Sequence, residues 1–227
     1  ALSCVLWTAS SQIIGASPTE RGSVSTKELR CDHGNVLLRS ADAAAKVTVC
    51  EGARHAIVFL TSHGLDATSP ITIDLLPRLP DACGATAAGC YLESEQRVFI
   101  LRYAEFLRQE SWFKIPLDRT LYRSLVSHEV AHAIVARNFR RPAPPITAKE
   151  YLAYVTMFST MPPSMRTRVM AQFPGEAFEG DWQIHTIIYL ADPMTFGVRA
   201  YRHFMKSDNG RDFLQAILDG RAVRGFD

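Results

Sequence analysis

The sequence predicts an α+β fold, strand-rich in front and helical behind, on three observations. From Cys31 to Tyr103, short runs of β-branched and aliphatic residues are bounded by Gly, Pro, Asp and Ser, as strands are. After Trp112 the apolar residues recur at steps of three and four, the spacing of a helical face. At 227 residues the chain is long enough for one domain with a sizeable core.

The strand candidates are "NVLLRS" (35–40), "KVTVCEG" (46–52), "ITIDLLP" (71–77) and "RVFILRY" (97–103). Between them "EGARHAIVFLTSHG" reads as a helix ending at Gly64, because Ala53, Ile57, Val58 and Leu60 fit a helical face. The back half opens with "PLDRTLYRSLVSHEVAHAIVARNF" (116–139), which Asp118 is placed to cap. Leu121, Leu125, His128, His132, Val135 and Phe139 form its apolar stripe. "RRPAPP" breaks this helix, and a second starts near Thr147 and runs to Pro162 and Pro163. Further helices are expected over "DWQIHTIIYLA", over "DPMTFGVRAYRHFMK" with Asp192 as N-cap and Pro193 in the first turn, and over "GRDFLQAIL". Residues 31–227 are expected to form one domain, with an α+β lobe (31–115) followed by a helical lobe (116–227).

Residues 1–30 are expected to lie outside it. The first sixteen, "ALSCVLWTASSQIIGA", resemble the tail of an export signal with a small-residue cleavage site at Ile14, Gly15 and Ala16. A buried N-terminal strand or an ordered amphipathic tail is the alternative. "SPTERGSVSTKELR" reads as a loose polar arm. No later stretch approaches the length of a membrane span. The formal charge of +2 gives no basis for nucleic-acid binding.

Cysteines stand at 4, 31, 50, 83 and 90, four of them beyond the signal-like segment, an even number that suits an oxidising compartment. Three pairings are open. The small-residue loop "GATAAG" between Cys83 and Cys90 favours that pair, which leaves Cys31 with Cys50. Periplasmic or secreted location is the expectation.

His128, Glu129 and His132 stand in the pattern H-E-x-x-H within "LVSHEVAHAIVARNF". Histidines four apart on a helix point the same way, so their imidazoles can converge on one zinc ion. Glu129 is rotated round the helix and can reach a water activated by that ion, acting as general base and then acid. A pair of ordinary core or surface histidines is the plainer alternative.

"SLVSHEVAHAI" resembles the active-site helix of the zincin metallopeptidases. A metzincin would continue with a glycine and a third histidine, which "AIVARNF" lacks. In the gluzincin branch a glutamate on the next helix completes the site. Glu150 in "KEYLAY" lies 18 residues after His132, beyond the "RRPAPP" break. The resemblance implies a zincin-like fold, Zn2+ held by His128, His132 and Glu150, and hydrolysis of a peptide or protein substrate. It covers only the two helices around the motif.

Glu150 has a competing reading. "TAKE" (147–150) fits the capping box in which a glutamate folds back on its own helix terminus. Asp181 and His185 are the fallback ligands. Tyr154, four residues after Glu150, could donate to Glu150 or to a developing oxyanion. The gluzincin resemblance also implies a distant His or Tyr that stabilises the tetrahedral intermediate, and His185, which Asp181 could orient, is the candidate for it, or else a satisfied core histidine. His203, His33, His55 and His63 read as structural. "QRVFILRY", the last strand before the motif helix, could receive a substrate strand or lie inside the sheet. The rival to a hydrolase is an exported zincin-fold binding protein whose metal is structural or vestigial.

Overall fold

The computed structural model describes residues 3–4, 27–33, 35–40, 42–206 and 210–224. The cleavage site expected at Ile14–Ala16 and most of the arm to residue 26 lie outside these. The fold is mixed α+β. Six strands form one sheet: β1 (Ser3–Cys4), β2 (Lys27–Arg30), β3 (Val36–Ser40), β4 (Ile71–Leu76), β5 (Gly89–Leu92) and β6 (Arg97–Leu101). Their spatial order is β1-β5-β6-β4-β3-β2. β3, β4 and β6 run parallel, while β2, β5 and β1 join antiparallel.

The helices are α1 (Lys46–Ser62), α2 (Tyr103–Phe106), α3 (Arg119–Asn138), α4 (Ile146–Thr160), α5 (Pro163–Ala171), α6 (Thr186–Ala191), α7 (Pro193–Phe204) and α8 (Arg211–Leu218). Asp118 caps α3, its carboxylate accepting from the Leu121 amide at 2.8 Å. Asp192 caps α7 by accepting from the Met194 and Thr195 amides, with Pro193 in the first turn. Both caps stand where the sequence puts them.

Several expectations need correction. "KVTVCEG" is the first half of α1, not a strand. Val49, Gly52, Ala53, Ala56 and Leu60 form one buried stripe along the whole helix, and that burial outweighs the β preference of Val47, Thr48 and Val49. β2 occupies the end of the arm expected to be loose. β5 escaped notice because "GCYL" has neither β-branched residues nor polar alternation. "DWQIHTIIYLA" is a 3-10 turn (Asp181–Gln183) followed by α6, with His185 as the N-cap of α6. Pro163 opens α5 instead of only ending α4.

Period-two alternation divides the sheet's two faces. Val98, Ile100 and Tyr91 join the main core with the helices, while Cys90, Leu92 and Phe99 pack with Leu79, Cys83 and Ala87 on the other side. Disulfides link Cys31 to Cys50 and Cys83 to Cys90, the pairing that the spacing favours. The first fastens α1 to the segment before β3, and the second closes the loop leading into β5. Among the described residues no helix is long and apolar enough to cross a membrane.

α3 is the centre of the molecule. It packs against α1, α4, β5 and β6, and every residue from Ser124 to Val135 is buried. The apolar stripe read from sequence is therefore narrower than the surface that α3 buries. Ser127 ties it to α1 by donating to the Gly52 carbonyl at 2.9 Å. α4 is equally enclosed, buried from Thr147 to Phe158.

Candidate metal centre

His128 and His132 come from consecutive turns of α3, and Glu150 comes from α4, which packs alongside after the proline-rich break. The two imidazole Nε2 atoms are 3.0 Å apart. Glu150 Oε2 lies 3.5 Å from His128 Nε2, and Oε1 lies 3.6 Å from His132 Nε2. The three side chains are 0–2% exposed. They form a His-His-Glu group able to hold a metal ion.

The fit can be tested on ligand spacing. A tetrahedral zinc with bonds of about 2.0–2.1 Å sets its ligand atoms about 3.3 Å apart. The observed 3.0, 3.5 and 3.6 Å bracket that value. A hydrogen bond between the two imidazoles could account for the shortest separation. It would leave the two Glu150 oxygens, which the Tyr189 hydroxyl approaches without a hydrogen bond of regular geometry, poorly satisfied in a buried site. Such under-satisfied acceptors are costly unless a cation joins them.

Electrostatics agree with a ligand set. Burial pushes the His128 and His132 pKa values down to about 3, so both rings are neutral, the form that binds metal. Burial pushes Glu150 up to about 7, opposed by His132, by the Tyr189 hydroxyl and by Lys149. Lys149 itself pairs with Glu93 in the β5–β6 turn, which ties α4 to that hairpin. Neither imidazole Nδ1 has a hydrogen-bond partner, so packing orients the rings. His128 meets the Tyr154 ring at 4.6 Å and the His132 ring at 4.7 Å between centroids.

Glu150 does not cap its helix. Pro145 is the N-cap of α4 and has no side-chain cap bond, while Thr147 lies inside the first turn with its hydroxyl unpaired. A capping box needs the Ser or Thr one step outside the helix. Because the helix begins at Ile146, Thr147 is its second residue and not its cap.

Glu129 points elsewhere on α3. Its two carboxylate oxygens are buried and unpaired, and burial, then Glu150, raises its pKa well above the usual carboxylate range. Gly89 of β5 abuts it: a β-carbon there would lie 2.7 Å from Glu129 Cγ and 3.0 Å from Oε1. Tyr154 is fully buried with its hydroxyl unpaired, and its pKa is raised by burial and by Glu150, Glu129 and Asp192. Its ring is confined by Gly197 of α7, where a β-carbon would fall 2.5 Å from Tyr154 Cδ1.

The sequence reading did not find Tyr189, Gly89 or Gly197. Each acts through a long-range contact and carries no local pattern. The pairing of Asp181 with His185 is not realised as one helical face, because the two residues sit on separate short elements. His203, whose Nδ1 is 2.8 Å from the Tyr151 hydroxyl in the core, has its pKa lowered to about 4 by burial and by Lys206, with Asp181 opposing. His185 lies one turn before Tyr189 on the element that flanks Glu150, and is half-buried. Among the described residues, neither Asp181 nor His185 joins the metal-capable group. β6 is interior, with β5 and β4 on either side, so "QRVFILRY" is not an edge.

A family described as a family of unknown function, DUF6639, matches residues 36–226, so the chain belongs to it. No curated protein and no solved structure matches the chain.

Proposed function

We propose that this DUF6639 member is a zinc-dependent peptidase of gluzincin type, with a zincin-like catalytic domain. The observation that carries the reading is the buried triangle of His128, His132 and Glu150, with spacings of 3.0, 3.5 and 3.6 Å, beside an unpaired Glu129. Two disulfides fit an exported protein, periplasmic or secreted.

Zinc, when bound, supplies Lewis acidity to a scissile carbonyl and lowers the pKa of water towards about 7. His128 and His132 hold it through neutral Nε2 atoms, and Glu150 contributes a carboxylate from α4. Glu129, raised in pKa and free of hydrogen bonds, takes the proton from the attacking water and returns it to the leaving amine. Tyr154 stays a neutral phenol and so remains a donor, placed to stabilise negative charge developing on the carbonyl oxygen. His185 is left as a peripheral candidate for the same task.

The complete burial of the four residues favours a second reading, in which the metal only staples α3 to α4. A staple gives no reason for Glu129, a buried carboxylate with unpaired oxygens, next to the ligands. Zinc analysis and turnover of a peptide library by the native chain, Glu150→Ala and Glu129→Gln decide between them. The peptidase reading expects one zinc per chain, lost in Glu150→Ala. It also expects turnover that falls by about 10²-fold or more in Glu129→Gln with zinc retained. Zinc without turnover in the native chain leaves the staple, and no zinc in any form ends both.

A further inference from the structure

His128, Glu129, His132 and Glu150 are 0–2% exposed, so a metal ion or a substrate reaches them only if part of the surrounding protein moves. The elements that border the group differ in how firmly they are held. α3 is buried from Ser124 to Val135, α4 from Thr147 to Phe158, and β5 at all four positions. The stretch from Gly180 to Ala191, a 3-10 turn followed by the six-residue α6, buries only Ile184 and Tyr189. It nonetheless reaches the group, because α6 packs on α4 and the Tyr189 hydroxyl approaches Glu150. Its other large apolar side chains do not hold it down: Trp182 is 66% exposed, Ile187 72% and Leu190 57%. A helix this short has little stability of its own.

Both ends of the stretch are fixed to α7 or to the residue pair after it. Ahead of Gly180, the Phe178 ring is buried with the Arg199 guanidinium over it at 4.3 Å, and its carbonyl accepts from Lys206 Nζ at 2.7 Å. Behind Ala191, the Asp192 carboxylate caps α7. Between these anchors Gln183 Oε1 accepts from Arg199 Nη2 at 3.0 Å.

We propose that residues 180–191 are a lid that closes the metal-capable group in this structure and opens about Gly180 and Asp192, with Gln183 as its latch to α7. This rests on the peptidase reading for the substrate admitted, but not for the opening, which a metal ion needs as well. Gly180 suits the first pivot, since it carries no side chain and a β-carbon there would come within 3.1 Å of the Trp182 ring. Asp192 suits the second, because its backbone is extended between α6 and α7 and its cap bonds keep α7 in place as α6 leaves. Opening exposes two buried side chains and leaves the hydrogen bonds of α3 and α4 intact, which places it among low-lying local motions.

The test compares the native chain with Gln183→Ala, which removes the latch at a half-buried position. Backbone hydrogen exchange is measured at the α6 and α4 amides, together with the rates of zinc capture and of zinc removal by EDTA. In the native chain α6 is expected to exchange about tenfold or more faster than α4. In Gln183→Ala, α6 exchange, zinc capture and zinc removal should all rise by a common factor of about ten. The zinc Kd and the α4 exchange should stay unchanged, because a gate speeds passage equally in both directions. Native α6 amides as protected as those of α4, or faster α6 exchange with unaltered zinc rates, overturn the proposal. A changed Kd with only one rate altered does so too, and makes Gln183 a support of the ligands. If neither chain binds zinc, the metal reading fails and the α6 and α4 exchange alone decides whether the stretch opens. Gated zinc passage without peptide turnover would end the peptidase reading and keep the lid.

Discussion

Gly89 and Glu129 touch across the β5–α3 interface so closely that position 89 has no room for a β-carbon, which would stand 2.7 Å from Glu129 Cγ. The carboxylate proposed as general base is thus aimed by the absence of a side chain on a neighbouring strand. Gly89→Ala is expected to push the Glu129 carboxylate aside while leaving the three ligands in place. Zinc content should be unchanged and turnover should fall by about 10²-fold, the scale of a misplacement near 1 Å. A variant with native turnover would show that Glu129 does not need this position.

Tyr154→Phe keeps the ring that Gly197 and His128 confine and removes only the hydroxyl. If that hydroxyl donates to charge developing in the transition state, kcat should fall by about 10²–10³-fold, with zinc content and KM little changed. Equal kcat in both forms would leave Tyr154 as packing.

Tyr189 reaches Glu150 from α6 and helps to hold its pKa down. Tyr189→Phe is expected to weaken zinc affinity by about 10–100-fold, the usual cost of losing a group that supports a ligand. Competition with a chromogenic chelator measures it, and unaltered affinity would sink the assignment.

How much of this was legible beforehand varies with the range of the interaction. α3 and α7 announced themselves through Asp118, Asp192 and Pro193, because a cap is a local contract between a side chain and amides two or three residues on. "KVTVCEG" misled because its β-branched residues speak locally for a strand, whereas the stripe from Val49 to Leu60 becomes visible only against α3 and β3. The metal-capable group was readable since helical periodicity brings His128 and His132 together and the proline break brings α4 back. Tyr189 and Gly89 were not readable, because no spacing in the chain foretells which residue of α6 or β5 meets them. The competing cap at "TAKE" was decided by two residues of helix boundary, since the N-cap is Pro145 and not Thr147.

The metal-free protein should lose stability in acid. The folded pKa of about 3 for His128 and His132 lies below the ordinary 6.5, so below pH 6.5 the unfolded chain takes protons that the fold refuses. Each histidine then costs up to about 1.4 kcal/mol per pH unit. Glu150 works oppositely. Raised from 4.5 to about 7, it is protonated first in the fold and offsets one histidine between pH 7 and 4.5. Glu129, also raised well above the usual carboxylate range, offsets the other. Stability should therefore change little down to about pH 4.5 and fall below it, read as urea midpoints of chelator-treated protein at pH 7, 5.5 and 3.5. A flat profile would mean that the rings accept protons in the fold.

The enclosure of α3 ties the proposed chemistry to the fold itself. The residues proposed to react are among the innermost ones, so two imidazoles and two carboxylates stand at the heart of the molecule. Aliphatic side chains of similar volume would pack there without needing an ion.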